Sequence, residues 1–125
     1  MINPLVVDGQ VRGAAAQGIG CALLEQVVYD EDGQILTGTL MDYLIPTASD
    51  VPRITVGHLE SPSPHTVGGM KGMGESGMIA VPAAIANAVA NASPDHGVIS
   101  SLPLSPDFIA SLFDAATGTE ARSGP

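Results

Sequence analysis

Gly68-Gly69-Met70-Lys71-Gly72-Met73-Gly74-Glu75-Ser76-Gly77 sets five glycines, the single lysine of the chain and one carboxylate within ten residues. Glycine lets a backbone turn sharply and approach a ligand with no Cβ in the way. Successive N–H groups in such a loop can form a concave anion site, and Lys71 adds a point charge suited to a phosphate or other anion. Glu75, crowded by backbone, sits where a carboxylate can be desolvated and tuned toward general-base work. Taken alone, the ten residues fit a solvated, flexible glycine loop equally well.

The spacing excludes two common phosphate loops. A P-loop requires G-x-x-x-x-G-K-[ST], whereas Lys71 precedes Gly72 and no hydroxyl stands after it. A dinucleotide-binding loop requires G-x-G-x-x-G between a strand and a helix, and Gly69–Gly74 lacks that order.

Outward from the loop, Ser61–Thr66 is a proline-rich connector, and Arg53–Leu59 alternates as a strand does. Asp30-Glu31-Asp32-Gly33 is a hairpin-like turn between Glu25–Tyr29 and Ile35–Tyr43. Gln10–Gln26 carries apolar residues close to a helical repeat, with Asp8 as N-cap. Its glycines at 13, 18 and 20 mark either tight packing or close approach by a ligand, and each costs about 1 kcal/mol of helix stability. Beyond the loop, Val81–Ala92 is an alanine-rich helix with Pro82 in its first turn, ended by Ser93-Pro94-Asp95. Ser105-Pro106-Asp107 starts a short helix over Phe108–Ala115. The expected fold class is α+β: one mixed domain over residues 1–116, with helices on a small antiparallel or mixed sheet and a glycine-rich cofactor loop. Residues 117–125 are expected to be a disordered tail.

Composition narrows the function classes. A formal net charge of −9 with only four basic residues excludes a nonspecific nucleic-acid surface. The single cysteine, Cys21, excludes an internal disulfide and Fe–S ligation by this chain alone. His58, His65 and His96 have no metal-ligand spacing, and Ser76 has no nucleophile-elbow context. Aromatic residues are 3% and hydrophobic residues 45%, a balance that suits a domain burying part of its surface against other protein. No apolar run reaches the roughly 18 residues of a membrane span. The start lacks the regions of a signal peptide, and the expected location is cytoplasmic.

Several ordered motifs carry a family resemblance. Ile2-Asn3-Pro4, Asp8-Gly9-Gln10-Val11 and Ala16-Gln17-Gly18-Ile19-Gly20 come first. Asp42-Tyr43-Leu44-Ile45-Pro46-Thr47-Ala48, Glu60-Ser61-Pro62-Ser63-Pro64 and Lys71-Gly72-Met73-Gly74-Glu75 follow. Over residues 1–109 the chain resembles the C-terminal portion of the molybdopterin-binding large subunit of xanthine oxidase-type molybdenum hydroxylases. That family includes xanthine dehydrogenases, aldehyde oxidoreductases and aerobic carbon monoxide dehydrogenases. The motif at Met1–Pro4 normally continues upstream, so the expectation is a piece of a larger catalytic subunit.

The resemblance implies a molybdenum–molybdopterin cofactor, the cytosine dinucleotide form being one option. FAD and 2Fe-2S clusters are then expected on partner domains or subunits, beside the remainder of the molybdopterin-binding subunit. It implies that Glu75 takes a proton from the attacking hydroxyl during hydroxylation of an aldehyde or N-heterocycle, or orients groups during carbon monoxide oxidation. It places Gln17 and Gly18 against the cofactor, with Lys71, Gly72 and Gly74 in the loop that wraps it. Gln10 is expected just behind that layer. No protein side chain is expected to ligate the metal. Isolated, the chain is expected to be inactive. The alternatives are a non-catalytic assembly subunit and an inactive truncated remnant.

Overall fold

The computed structural model describes residues 1–94 and 98–120. Its regular elements are helix α1 (Pro4–Leu23), a 3-10 turn (Val67–Gly69), helix α2 (Val81–Ala92) and helix α3 (Pro106–Glu120). Asp95 and His96 lie outside the described residues, as do residues 121–125 of the expected tail, while α3 carries the backbone through Glu120.

Helix α1 begins at Asn3, which corrects the assignment of Asp8 as N-cap. The Asn3 side chain accepts from the Val6 N–H at 3.2 Å, and Pro4 occupies the first turn, where its missing N–H costs nothing. The unbroken apolar run Leu5-Val6-Val7 has no helical period, so pattern alone places the start too late. At the other end the Leu24 N–H closes on the Gly20 carbonyl at 2.9 Å. Helix α2 has the span expected of it. Helix α3 is capped as expected: the Phe108 N–H donates to Ser105 Oγ at 3.2 Å, with Pro106 opening the helix.

Glycine gives α1 its packing surface. Gly18 and Gly20 are buried. A Cβ at Gly18 would come to 2.6 Å of the Val81 Cβ, and one at Gly20 to 2.8 Å of Pro46 Cδ. The helix therefore gives up about 1 kcal/mol of propensity at each position and gains close contact with α2 and the 46–51 turn. Ala14, Ala22, Ser93 and Leu104 are the other buried residues among the described ones. The Leu104 N–H donates to the Ala22 carbonyl at 2.7 Å, which ties the segment before α3 to α1.

Leu104 is the one large side chain fully enclosed among the described residues. Leu5, Leu40, Met41, Leu59, Val67, Ile79 and Val98 are all more than three-quarters exposed. A folded monomer of this mass exposes about 6,200 Å², whereas this chain exposes 9331 Å². That excess is too large for a self-contained domain.

The hairpin expected between Glu25–Tyr29 and Ile35–Tyr43 is present as its turn. Asp30 Oδ1 accepts from the N–H groups of Asp32 and Gln34, and Gly33 takes a φ of +79°. Among the described residues its pairing is one antiparallel bridge, Tyr29 to Ile35, and no strand is formed.

Candidate functional site

Ser61–Met70 folds into a closed turn that launches the glycine loop. Gly68 and Gly69 both take positive φ, 67° and 69°, a conformation that costs other L-residues roughly 1–2 kcal/mol. At Gly69 a Cβ would also come to 2.7 Å of Pro62 Cβ. The Gly69 carbonyl accepts from the Ser63 N–H at 3.1 Å, and Thr66 Oγ1 donates to the Met70 carbonyl at 2.7 Å.

From Gly74 the chain runs alongside α1 in the helix's own direction. Gln10 Nε2 donates to the Gly74 carbonyl at 3.4 Å. Gly77 then lies on α1 so closely that a Cβ would be 3.1 Å from Ala14 Cβ and 3.3 Å from both Val11 Cα and its carbonyl oxygen. Val81 reaches Gly18 at the start of α2. Glu75 is therefore bracketed by two anchors to one helix, one residue before it and two residues after it. The Met78 N–H donates to the Glu75 carbonyl at 3.0 Å, and Ser76 Oγ donates to Met73 Sδ at 2.9 Å, which closes the turn around it.

Lys71 and Gly72 line an open cleft of about 580 Å³ with His58, Glu60, Ser61 and Met73. Lys71 Nζ donates to Ser61 Oγ at 2.8 Å, which holds the only lysine at the rim. No atom lies within 4 Å of where a Cβ would stand at Gly72 or Gly74. Among the described residues the N–H groups of Lys71 to Gly77 make no intrachain hydrogen bond. Open backbone, free donors and one cation together form a cradle for an anionic, hydrogen-bonding group.

Not all of the expected site residues converge. Gln17 is exposed on α1, one turn past Ala14 on the face that carries Gln10 and Gly77. Glu75 is exposed, and neither it nor Gln17 lines the Lys71 cleft. Gly18 is buried under Val81, where its missing Cβ serves the helix crossing. Among the described residues no group of three His, Cys, Asp or Glu side chains is arranged to hold a metal ion.

Other contacts were not legible in the sequence. His58 Nε2 lies 2.8 Å from Asp8 Oδ1, pinning the segment before the cleft to α1 across 50 residues of chain, and no local spacing signals such a pair. Tyr43 Oη donates to Glu25 Oε2 at 2.7 Å. That hydrogen bond, with partial burial and the nearby negative charge, pushes the Tyr43 hydroxyl above the usual tyrosine range. The Thr47 hydroxyl and N–H both donate to Asp50, at 2.6 and 2.7 Å, and hold its carboxyl below the usual range. Asp42 Oδ2 accepts from Thr39 Oγ1 at 2.8 Å, so Tyr43 and its neighbour are both tied to nearby segments.

Residues 1–52 match the family model of a molybdopterin cofactor-binding domain. The chain is 47% identical over 110 residues to the nicotine 6-hydroxylase large subunit of Paenarthrobacter nicotinovorans, covering 87% of this chain and 14% of that one. It superposes on the crystal structure of quinoline 2-oxidoreductase from Pseudomonas putida 86 with a TM-score of 0.85 and 54% identity, over 91% of this chain and 15% of that one. This is a molybdenum hydroxylase family chain. It is also 37% identical over 99 residues to the carbon monoxide dehydrogenase large chain of Hydrogenophaga pseudoflava, with 76% of this chain and 12% of that one covered. The chain spans about one-seventh of the length of the large subunits it matches. The donor chemistry suits the cofactor of this family, with the Gln10 and Gln17 amides on α1 for a polar pterin edge and, apart from them, loop N–H groups and Lys71 for anionic oxygens. No helix among the described residues is long and apolar enough to cross a membrane.

Proposed function

We propose that this chain is a portion of a molybdenum hydroxylase catalytic subunit, contributing the pterin-facing loop and the glutamate base. The observation that carries the reading is the double anchoring of the Glu75 turn, at Gly74 by Gln10 and at Gly77 by Val11 and Ala14. A turn anchored at two points on a helix confines the carboxylate it carries, which a freely moving loop cannot do.

When bound, the molybdenum–molybdopterin group supplies the two-electron oxidation and the activation of water. This chain supplies position and a proton acceptor. Lys71 and the free N–H groups of the loop hold the anionic part of the cofactor, as molybdopterin itself or in its cytosine dinucleotide form. Gln17, exposed on α1 one turn past Ala14, offers a donor and an acceptor to the pterin edge. Gly72 and Gly74 leave room for close approach, and Gly18 keeps α2 seated so that the loop stays on α1. The Glu75 carboxylate accepts the proton shed by the attacking oxygen.

The overall change adds a water-derived oxygen to a carbon and releases two electrons and two protons. The electrons leave through 2Fe-2S clusters and FAD on partner domains or subunits. Nicotine and quinoline, named in two of the relatives, are N-heteroaromatic compounds. An N-heterocycle is therefore the favoured substrate class, ahead of an aldehyde or carbon monoxide. The fold is α+β, with a sheet whose other strands belong to the rest of the subunit, and the enzyme works in the cytoplasm.

Glu75→Gln tests the reading. In the whole enzyme turnover should fall by about 10²- to 10⁴-fold, the usual contribution of a general base, with molybdenum content unchanged. Unchanged turnover would favour the alternative of a non-catalytic assembly piece.

A further inference from the structure

Pro52–Ser63 runs without a turn or bend. Among the described residues no backbone N–H or carbonyl between Pro52 and Glu60 makes a hydrogen bond. Burial alternates along the same stretch. Ile54 and Val56 are half-buried, whereas Arg53, Thr55 and Gly57 are exposed; His58 is itself exposed but keeps the inner register by meeting Asp8 on α1, and Leu59 is fully exposed. A period of two with one face packed is the signature of a strand. An irregular connector has no reason to keep it.

We infer that Arg53–Leu59 is a β-strand without its neighbour, and that an extended strand from the protein beyond these 125 residues pairs with it. The inference rests on the proposed place of this chain within a larger subunit, and it names which edge that subunit completes. An unpaired row of N–H and carbonyl groups is a template for strand addition. The occupant follows from two facts: the chain spans about one-seventh of its relatives' length, and it exposes about half as much surface again as a folded monomer of its mass. Leu59 and its neighbours then lie inside the assembled protein, and the strand carries His58, Glu60 and Ser61 to the Lys71 cleft. Pairing along Arg53–Leu59 thus sets one wall of the candidate cofactor site.

Amide hydrogen exchange tests the pairing. It is read on the natural assembly, purified through a tag on this chain, against a synthetic peptide of residues 50–63 that sets the unpaired rate. Amides between Arg53 and Leu59 should exchange at least about 100-fold more slowly in the assembly, with every second amide protected and those between them not. Exchange at the peptide's rate would overturn the inference. So would protection without that alternation, or protection lost on dilution to an assembly holding one copy of this chain, which would make a second copy the occupant. Molybdenum measured in the same assembly separates the two ideas. Metal present with unprotected amides removes the strand and leaves the proposed function standing; protected amides without metal do the reverse.

Discussion

Gly18 lies under Val81 so closely that a single added carbon would sit 2.6 Å from the valine Cβ. This contact sets the height of α2 over α1. Because the Glu75 turn is strung between Gln10 and that crossing, it also helps to place the candidate base. Packing and chemistry share one helix face here: Gly18 seats α2, while Gln10 and Ala14 seat the loop.

Two glycine substitutions in α1 should act in opposite directions. Gly18→Ala gains up to about 1 kcal/mol of helix propensity but must displace the Val81 backbone, an overpacking cost of about 1–3 kcal/mol. The net effect is destabilising. No atom lies within 4 Å of a Cβ at Gly13, so Gly13→Ala keeps the propensity gain and stabilises by about 0.4–1 kcal/mol. Thermal midpoints of the two variants should move apart. A Gly18→Ala midpoint at or above that of the parent would contradict the crossing.

Tyr43 gives the structure an alkaline limit. Its hydroxyl donates to the Glu25 carboxylate, and that bond raises its pKa above the ordinary value of about 10. A group whose folded pKa is raised contributes stability that is fully present below the unfolded pKa and disappears as pH rises through the folded one. The contact therefore holds at neutral pH and fails above about pH 10, where phenolate and carboxylate would face each other. Tyr43→Phe should remove this step from an alkaline unfolding titration read by circular dichroism. An identical titration curve for the variant would show that the contact carries no stability.

Helix α2 and the start of α3 were legible in the sequence because their end signals are local; α1 ends three residues before the expected Gln26 and α3 continues past the expected Ala115. Val81–Ala92 is a compact alanine-rich run, and Ser105-Pro106 caps α3 within three residues. The start of α1 was misplaced because Asn3-Pro4 precedes an apolar run that hides the period. The glycine loop was legible by composition. Its geometry was not, since the Gln10–Gly74 and Asp8–His58 contacts span 64 and 50 residues. The strand pattern at Arg53–Leu59 is written in the residues, but among the described residues no neighbour pairs with it.

Asp50 should give an acid step of opposite sign. The Thr47 hydroxyl and N–H both donate to its carboxylate, which lowers its pKa from the ordinary value of about 3.9. A depressed carboxylate contributes stability that is present above the unfolded pKa and is lost as pH falls through the folded one. The turn that carries Pro46 against Gly20 should therefore hold at neutral pH and loosen only below about pH 3.9. Thr47→Val keeps the N–H donor and removes the hydroxyl, so the Asp50 carboxyl should titrate at higher pH, as followed by carbon NMR. An unmoved titration would mean that the hydroxyl contact is absent in solution.

Gly77 tests whether the position of Glu75 is set by α1. A Cβ there meets Ala14 Cβ at 3.1 Å and the Val11 backbone at 3.3 Å, so Gly77→Ala must lift the turn from the helix by a few tenths of an ångström or more. Misplacement of a catalytic group by about 1 Å can cost on the order of 10² in rate. Turnover of the whole enzyme should drop by tens-fold, with KM, molybdenum content and helical circular dichroism little changed. Ala14→Gly removes one of the opposing carbons, so adding it to Gly77→Ala should recover part of the lost rate while leaving the Val11 contact in place. Such coupling between contacting residues is what a double-mutant cycle detects. If the two substitutions simply add, the loop is not held by this face, and Glu75 takes its position from elsewhere in the protein.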